Sequence, residues 1–231
     1  MKKILLLSLF ALLFSLNVNS QIYIGPKAGL SFSNLTGNLG YYLANTDQPF
    51  IENGYNGFSL GLDFQYVLNE SSSLVTDILY TNKGGLFETP DPTKRILEYQ
   101  LNYIEIPILY KYDFDLDYLI VYTNIGPYLS FLAGGTGKRY GASWDTRTND
   151  IKKFFDESDK QPYSNIDVGL CLGAGASYEI GPGNAFAEMR YNIGLIDVAK
   201  DSEDSFYKNI GKNRVFNIFL GYRFYLDVAK D

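Results

Sequence analysis

The sequence predicts an all-β chain: an eight-stranded antiparallel up-and-down transmembrane β-barrel. Three observations predict it. Apolar and polar residues alternate through eight segments, the signature of strands with one face in each of two environments. The links between those segments alternate between short and long. The polar face is built from glycine and from charges of both signs, which is not the composition of a solvated exterior.

The chain opens Met1-Lys2-Lys3, continues with the apolar run Ile4–Leu16 and ends that stretch with Asn17-Val18-Asn19-Ser20. A basic start, an apolar run and a small-residue exit read as a secretory leader. Val18 and Ser20 stand at the −3 and −1 positions of a cut between Ser20 and Gln21. The run is shorter than the ~20 apolar residues a spanning helix needs. Residues 1–20 are therefore expected to be a signal peptide and residues 21–231 the barrel domain.

The first segment is Ile22–Ser33, with Ile24, Ala28, Leu30 and Phe32 against Gly25, Lys27, Gly29 and Ser31. The second, Gly57–Leu68, sets Phe58, Leu60, Leu62, Phe64 and Tyr66 against Ser59, Gly61, Asp63 and Gln65. The third, Leu74–Lys83, sets Thr76, Ile78 and Tyr80 against Asp77, Thr81 and Lys83, with Leu79 breaking the polar row. The fourth, Leu97–Tyr112, changes phase: Leu97, Tyr99, Leu101 and Tyr103 are odd-numbered, whereas Ile104, Ile106, Ile108 and Tyr110 are even. One extra residue near Tyr103 would produce that slip, so a β-bulge is expected there; alternatively, only the second half of the segment crosses the membrane.

The fifth segment is Leu119–Leu132, with Tyr122, Asn124, Gly126, Tyr128 and Ser130 on the polar face. The sixth, Asn165–Glu179, alternates most cleanly, placing Asp167, Gly169, Cys171, Gly173, Gly175 and Glu179 together. The seventh, Ala185–Leu195, opposes Met189, Tyr191 and Ile193 to Glu188, Arg190 and Asn192. The eighth, Val215–Leu226, opposes Phe216, Ile218, Leu220, Tyr222 and Phe224 to Asn217, Gly221 and Arg223. Short links follow the second, fourth and sixth segments. Longer ones cover 34–56, 84–96, 133–164 and 196–213. Outer-membrane barrels have short periplasmic turns and long outer loops, and an even strand number then leaves both termini in the periplasm.

A soluble lipocalin-type barrel also has eight alternating strands, with its polar face outward. The glycine-rich face argues for the inverse arrangement. It carries Lys27, Lys83, Lys111, Arg190 and Arg223 with Asp63, Asp77, Glu105, Asp167, Glu179 and Glu188. Eight strands leave an interior just wide enough for side chains to fill. Charges turned into it must pair, because unpaired burial is costly. These eleven residues are expected to form an interior charge network, and the opposite face, almost free of charge, is expected to meet acyl chains. Tyr66, Tyr110, Tyr178 and Tyr222 at one end and Phe58, Tyr80, Phe131 and Tyr191 at the other are candidates for two interfacial aromatic girdles.

The stretches IGPKAGLSFSNL (24–35), LYTNKG (79–84), YIEIPILYKY (103–112), DVGLCLGAGASYEI (167–180), RYNIGLIDV (190–198) and LGYRFY (220–225) resemble the PorT-like outer-membrane β-barrel proteins of Bacteroidetes. The resemblance implies insertion by the barrel-assembly machinery. No motif here carries the secretion role of the founding member. The tail departs from the common pattern, since Asp227–Asp231 follow the last aromatic residue.

Composition narrows the chemistry. The net charge is −6, and loss of Lys2 and Lys3 with the leader makes it −8. That excludes the basic face a nucleic-acid partner requires. With no histidine in the chain, Ser-His nucleophiles, His bases and His metal ligands are absent. Cys171 is the only cysteine and reads as small filler on the glycine face. Asp113, Asp115 and Asp117 begin like a calcium loop, but Tyr118 and Asn124 stand where glycine and glutamate are needed. Gly134–Lys138 looks faintly like a phosphate loop, but Arg139 stands where Ser or Thr belongs; it reads as the flexible start of an exposed loop. No cofactor and no catalysis are expected. The expected partners are outer-membrane lipid, the assembly machinery during insertion, and an unidentified surface ligand or envelope complex bound through the long loops. A small-solute channel and a soluble lipid binder are the alternatives.

Overall fold

The computed structural model describes residues 21–36, 51–88, 96–141, 144–150, 164–197 and 211–226. The expected leader lies outside these residues, Ser20 included. Gln21 is within them, and its carbonyl accepts a hydrogen bond from the Val67 N–H at 3.0 Å.

The strands are β1 (Ile22–Thr36), β2 (Ile51–Asn69), β3 (Ser72–Glu88), β4 (Ile96–Leu116), β5 (Leu119–Gly141), β6 (Trp144–Asp150), β7 (Ile166–Ile180), β8 (Gly183–Gly194) and β9 (Lys212–Leu226). Each pairs antiparallel with its neighbour in the order β4-β3-β2-β1-β9-β8-β7-β5, and the β4–β5 pairing closes the ring. Eight strands form the wall. The ninth, β6, pairs with the upper part of β5 and lies outside the closed ring. The tight turns suit their residues: Asp117 takes φ 58° in the β4–β5 turn and Gly181 φ 62° in the β7–β8 turn, a conformation tolerated by Asp and free for Gly.

Burial fixes which face points where. Leu30, Leu60, Leu62, Ile78, Ile108, Ile125, Leu170, Met189 and Leu220 are exposed, while Lys27, Asp63, Asp77, Lys83 and Arg223 are at most 1% exposed. In water this would be inside out. In lipid it is the stable arrangement, since closed pairing satisfies the backbone and apolar side chains face the tails. The outward apolar stretches Ile22–Phe32, Val121–Phe131 and Phe216–Leu226 each make about ten steps of ~3.3 Å. At ~40° tilt they rise about 25 Å, the height of a membrane-barrel band.

Two expectations need correction at the upper rim. Strand β4 does not slip: Tyr99, Leu101, Tyr103, Glu105, Leu109 and Lys111 are all buried on one face. The irregularity at that height belongs to β5, where Asn102 faces Gly134 and Tyr103 faces Leu132, leaving Ala133 extra. What changes along β4 is the solvent outside. Ile104, Ile106 and Ile108 face the band, whereas Glu98, Gln100 and Asn102 follow on the same face above it. There Asn82 Nδ2 donates to Asn102 Oδ1 at 2.7 Å and Lys138 pairs with Glu98 at 3.3 Å. Above the bilayer the wall turns polar outside, and its lumen turns apolar with Leu35, Phe87, Tyr99, Leu101 and Tyr103.

Gly134–Lys138 is the second correction. It is strand, not flexible loop, because β5 runs on to Gly141. The predicted long links at 34–56, 84–96 and 133–164 shrink in the same way, as β1, β2, β3 and β5 extend into them.

The orientation generates a test. Leu62→Arg and Leu170→Arg, each at a position 45% exposed in the band, should lower barrel stability by roughly 2–4 kcal/mol. Asn56→Arg, outward at the polar rim, should cost roughly 0–1 kcal/mol. Urea titration of the folded fraction in vesicles reads both, and equal losses at the two heights would refute the orientation.

Candidate functional site

Among the described residues, the lumen is where the fold concentrates chemistry-bearing side chains. Ten of the predicted interior charges are buried there: Lys27, Asp63, Asp77, Lys83, Glu105, Lys111, Asp167, Glu188, Arg190 and Arg223. Glu179 is not among them. It is exposed beside the β7–β8 turn, because the strand there has reached the end of the barrel and its inward side opens to water.

Nine of the ten fall into two clusters, and Lys111 lies outside both. The first cluster joins β1, β2, β3, β8 and β9. Lys27 Nζ lies 2.9 Å from Glu188, 3.2 Å from Asp77 and 3.5 Å from Asp63. Arg223 holds Asp63 with two parallel bonds of 2.5 and 3.0 Å, the fork geometry that makes Arg–carboxylate pairs strong. Arg190 bridges Asp77 and Glu188. Asp63 and Asp77 are direct cross-strand partners, and like charges so placed repel. Three cations set against three carboxylates remove that penalty. Asn124 completes the cluster, donating to Glu188 at 2.8 Å.

The second cluster has one cation. Lys83 Nζ is 2.5 Å from Glu105 and 3.4 Å from Asp167. The surplus negative charge is met by neutral donors: Asn192 to Glu105 at 2.7 Å, Ser130 to Glu105 at 3.2 Å, Asn213 to Asp167 at 2.7 Å and Tyr128 to Asp167 at 3.3 Å. Glu105 and Glu188 thus sit in separate clusters, each engaged in salt bridges. Lys111 stands apart, 2.5 Å from Asp113 and over the Tyr122 ring at 4.4 Å. Asp113 is thereby committed to a salt bridge and not to a calcium loop.

Aromatic rings fill the space between the ions. Arg223 stacks 4.0 Å from the Phe186 centroid, Lys27 lies 4.6 Å from Phe219 and Lys83 4.9 Å from Tyr128. The inward glycines make room for them. Tyr122 lies opposite Gly175, Tyr128 opposite Gly169, Phe186 opposite Gly221 and Phe219 opposite Gly29 in direct register. A Cβ on Gly221 would meet the Phe186 ring at 2.4 Å, and one on Gly169 would meet Tyr128 at 2.5 Å. Cys171 packs with Val75, Leu109 and Tyr128. Sequence reasoning did not single out the neutral partners Asn124, Ser130, Asn192 and Asn213. Their signal was available: each occupies the inward phase of its strand.

These contacts generate two tests. Arg223→Met leaves Asp63 facing a single lysine and should cost roughly 3–5 kcal/mol. Adding Asp63→Asn restores the charge balance and should recover most of it; no recovery in denaturant titration would mean the pair is not coupled. Separately, Gly221→Ala should cost roughly 1–3 kcal/mol by overpacking, and less in a Phe186→Leu background. The same cost in both backgrounds would show that the ring is not what the glycine serves.

A family model described as the outer membrane protein beta-barrel domain matches residues 14–200. No curated protein matches the chain. Similar solved structures include neisserial surface protein A, at 18% identity over 88% of this chain and 96% of that one, with a TM-score of 0.45. Another is OprG of Pseudomonas aeruginosa, at 15% identity, 89% and 95% coverage, and a TM-score of 0.45. A third is Ail, the attachment invasion locus protein of Yersinia pestis, at 13% identity, 90% and 100% coverage, and a TM-score of 0.41.

Proposed function

Starting from the premise that this chain belongs to the outer membrane protein β-barrel domain family, we propose that it is a non-enzymatic scaffold whose exposed end binds a surface partner. The lumen carries this reading. The ten buried charges that cross it are all committed to ion pairs, several also to hydrogen bonds or ring contacts. A solute path would have to break pairs whose separation leaves charges unpaired in low dielectric. Of the small residues that suggest a channel, Gly29, Gly169, Gly175 and Gly221 are already covered by rings. In this reading each carboxylate serves as a counter-ion and none as an acid or base.

Recognition then falls to the end where the wall continues past the bilayer. The pairing of β2, β3, β4, β5 and β6 runs on there, from Ile51 against Glu88 to Thr136 against Asp150. On the other side the described pairing ends at Thr36 against Lys212. Among the described residues β6 ends the strand order, so its far edge has backbone groups to offer an extended partner. We assign this end to the cell exterior and the short turns and both termini to the periplasm. Kinship with the PorT-like barrels and insertion by the barrel-assembly machinery belong to the same proposal.

Two measurements test it. The purified full chain should show no steady single-channel current in planar bilayers; stable conductance would overturn the filled-lumen reading. Deleting 140–160 should preserve heat-modifiable gel mobility and abolish the recovery of any partner cross-linked to the intact protein in cells. A partner retained by the deletion variant would overturn the assignment of recognition to this end.

A further inference from the structure

On the outer wall, where the apolar band meets the polar rim, β1, β2, β8 and β9 enclose a groove of about 310 Å³. It is built in tiers by the strand register. Directly below its floor stands a tier of Phe58, Leu30, Ile218 and Met189, in direct cross-strand sequence and exposed. The next is Asn56, Phe32, Phe216 and Tyr191, with the two phenylalanine rings 6.4 Å apart. Above them Asn34 and Arg214 face each other, and Lys212 takes the next outward position on β9.

Arg214 is held in place from one side. Its Nη1 donates to the Gly194 carbonyl at 2.8 Å and the Asn213 carbonyl at 3.0 Å. Among the described residues its other nitrogens make no hydrogen bond, and none of the described residues lining the groove is acidic. A fixed guanidinium with donors to spare, flanked by two amides, is suited to bidentate binding of a phosphate. The aromatic and aliphatic tiers below lie at acyl-chain depth. No soluble anion uses those tiers; a membrane amphiphile uses both.

We propose that this groove is a binding site for a phosphate-bearing lipid of the leaflet at the long-loop end. Arg214 grips the phosphate, with Asn34, Asn56 and Lys212 beside it. Phe32, Phe216 and Tyr191 support the first carbons of the acyl chains. Such a lipid anchors the barrel at a fixed depth and orientation through β1 and β9, the pair that joins the first and last strands.

Native mass spectrometry of the full chain in detergent tests this, with phosphatidic acid and phosphatidylcholine as probes. Phosphatidic acid should form a one-to-one adduct at concentrations where phosphatidylcholine does not. Arg214→Ala should weaken it about tenfold, in keeping with the loss of a charge-assisted contact. Arg214→Lys should restore part of the affinity, and Phe216→Ala should weaken it without touching the charge. Heat-modifiable mobility checks that each variant still forms a barrel. Inorganic phosphate should not compete in the millimolar range. Equal binding of the two lipids, an unchanged Arg214→Ala adduct, or full displacement by inorganic phosphate would each overturn the proposal.

Discussion

A charge inside an eight-stranded barrel has no bulk water to turn to, so it must be answered by another side chain within reach. That constraint organises this molecule. Lys27 can be buried only because Asp63, Asp77 and Glu188 surround it, and those carboxylates can be buried together only because Arg190 and Arg223 arrive from β8 and β9. The partners come from the two ends of the chain. The network therefore ties the closing β1–β9 seam to the β2–β3 hairpin, and a wrong register at the seam would separate charge from countercharge. Hydrophobic burial offers no such check here, because the apolar face meets lipid in any register that keeps its phase. Polar pairing in the lumen thus specifies which closed barrel forms, a role for buried ions that does not depend on their adding net stability.

The fold was legible because alternation has a period of two and a strand has no other way to present two faces. The eleven charges were legible as a set for the same reason, since they share one phase. Their partition was not. Alternation says which side of the wall a residue occupies and nothing about its height. Lys83 meeting Asp167 instead of Asp77 is decided by tilt and stagger, which a one-dimensional pattern does not encode. Glu179 shows the limit from the other direction: it has the inward phase, but sits so near a turn that inward means wet. The glycines were read correctly as a sign of crowding, although the crowding agent needed the register. Only with β8 and β9 paired does Gly221 turn out to lie under Phe186.

The fourth strand fails more instructively. Its apolar residues change parity at Tyr103, and a bulge is the local explanation of a parity change. A change of solvent is the global one. Within the bilayer the outside is greasy and the lumen ionic. Above it the outside is aqueous, so Glu98, Gln100 and Asn102 turn outward while Tyr99, Leu101 and Tyr103 close the lumen. The strand keeps its phase and the environment inverts. In a transmembrane barrel, then, a parity slip without a glycine or a turn residue can be read as the point where a strand leaves the membrane.

That inversion also bears on where activity can reside. Below it, the lumen is sealed by its own ion pairs; above it, by Leu35, Phe87 and the three residues of β4. If the axis is filled as proposed, two surfaces remain for the molecule to act through: the sheet that rises beyond the bilayer on the β2–β6 side and the wall that faces lipid. Among the described residues they differ in height: β1 and β9 pair as far as Thr36 against Lys212, whereas β5 continues to Gly141. The groove at Arg214 lies beside the shorter described strands, at the height proposed for lipid headgroups. Under the proposed function, the difference in strand length sets a face for membrane apart from a face for partners, and it follows from the same tilt and stagger that bring the charges together inside.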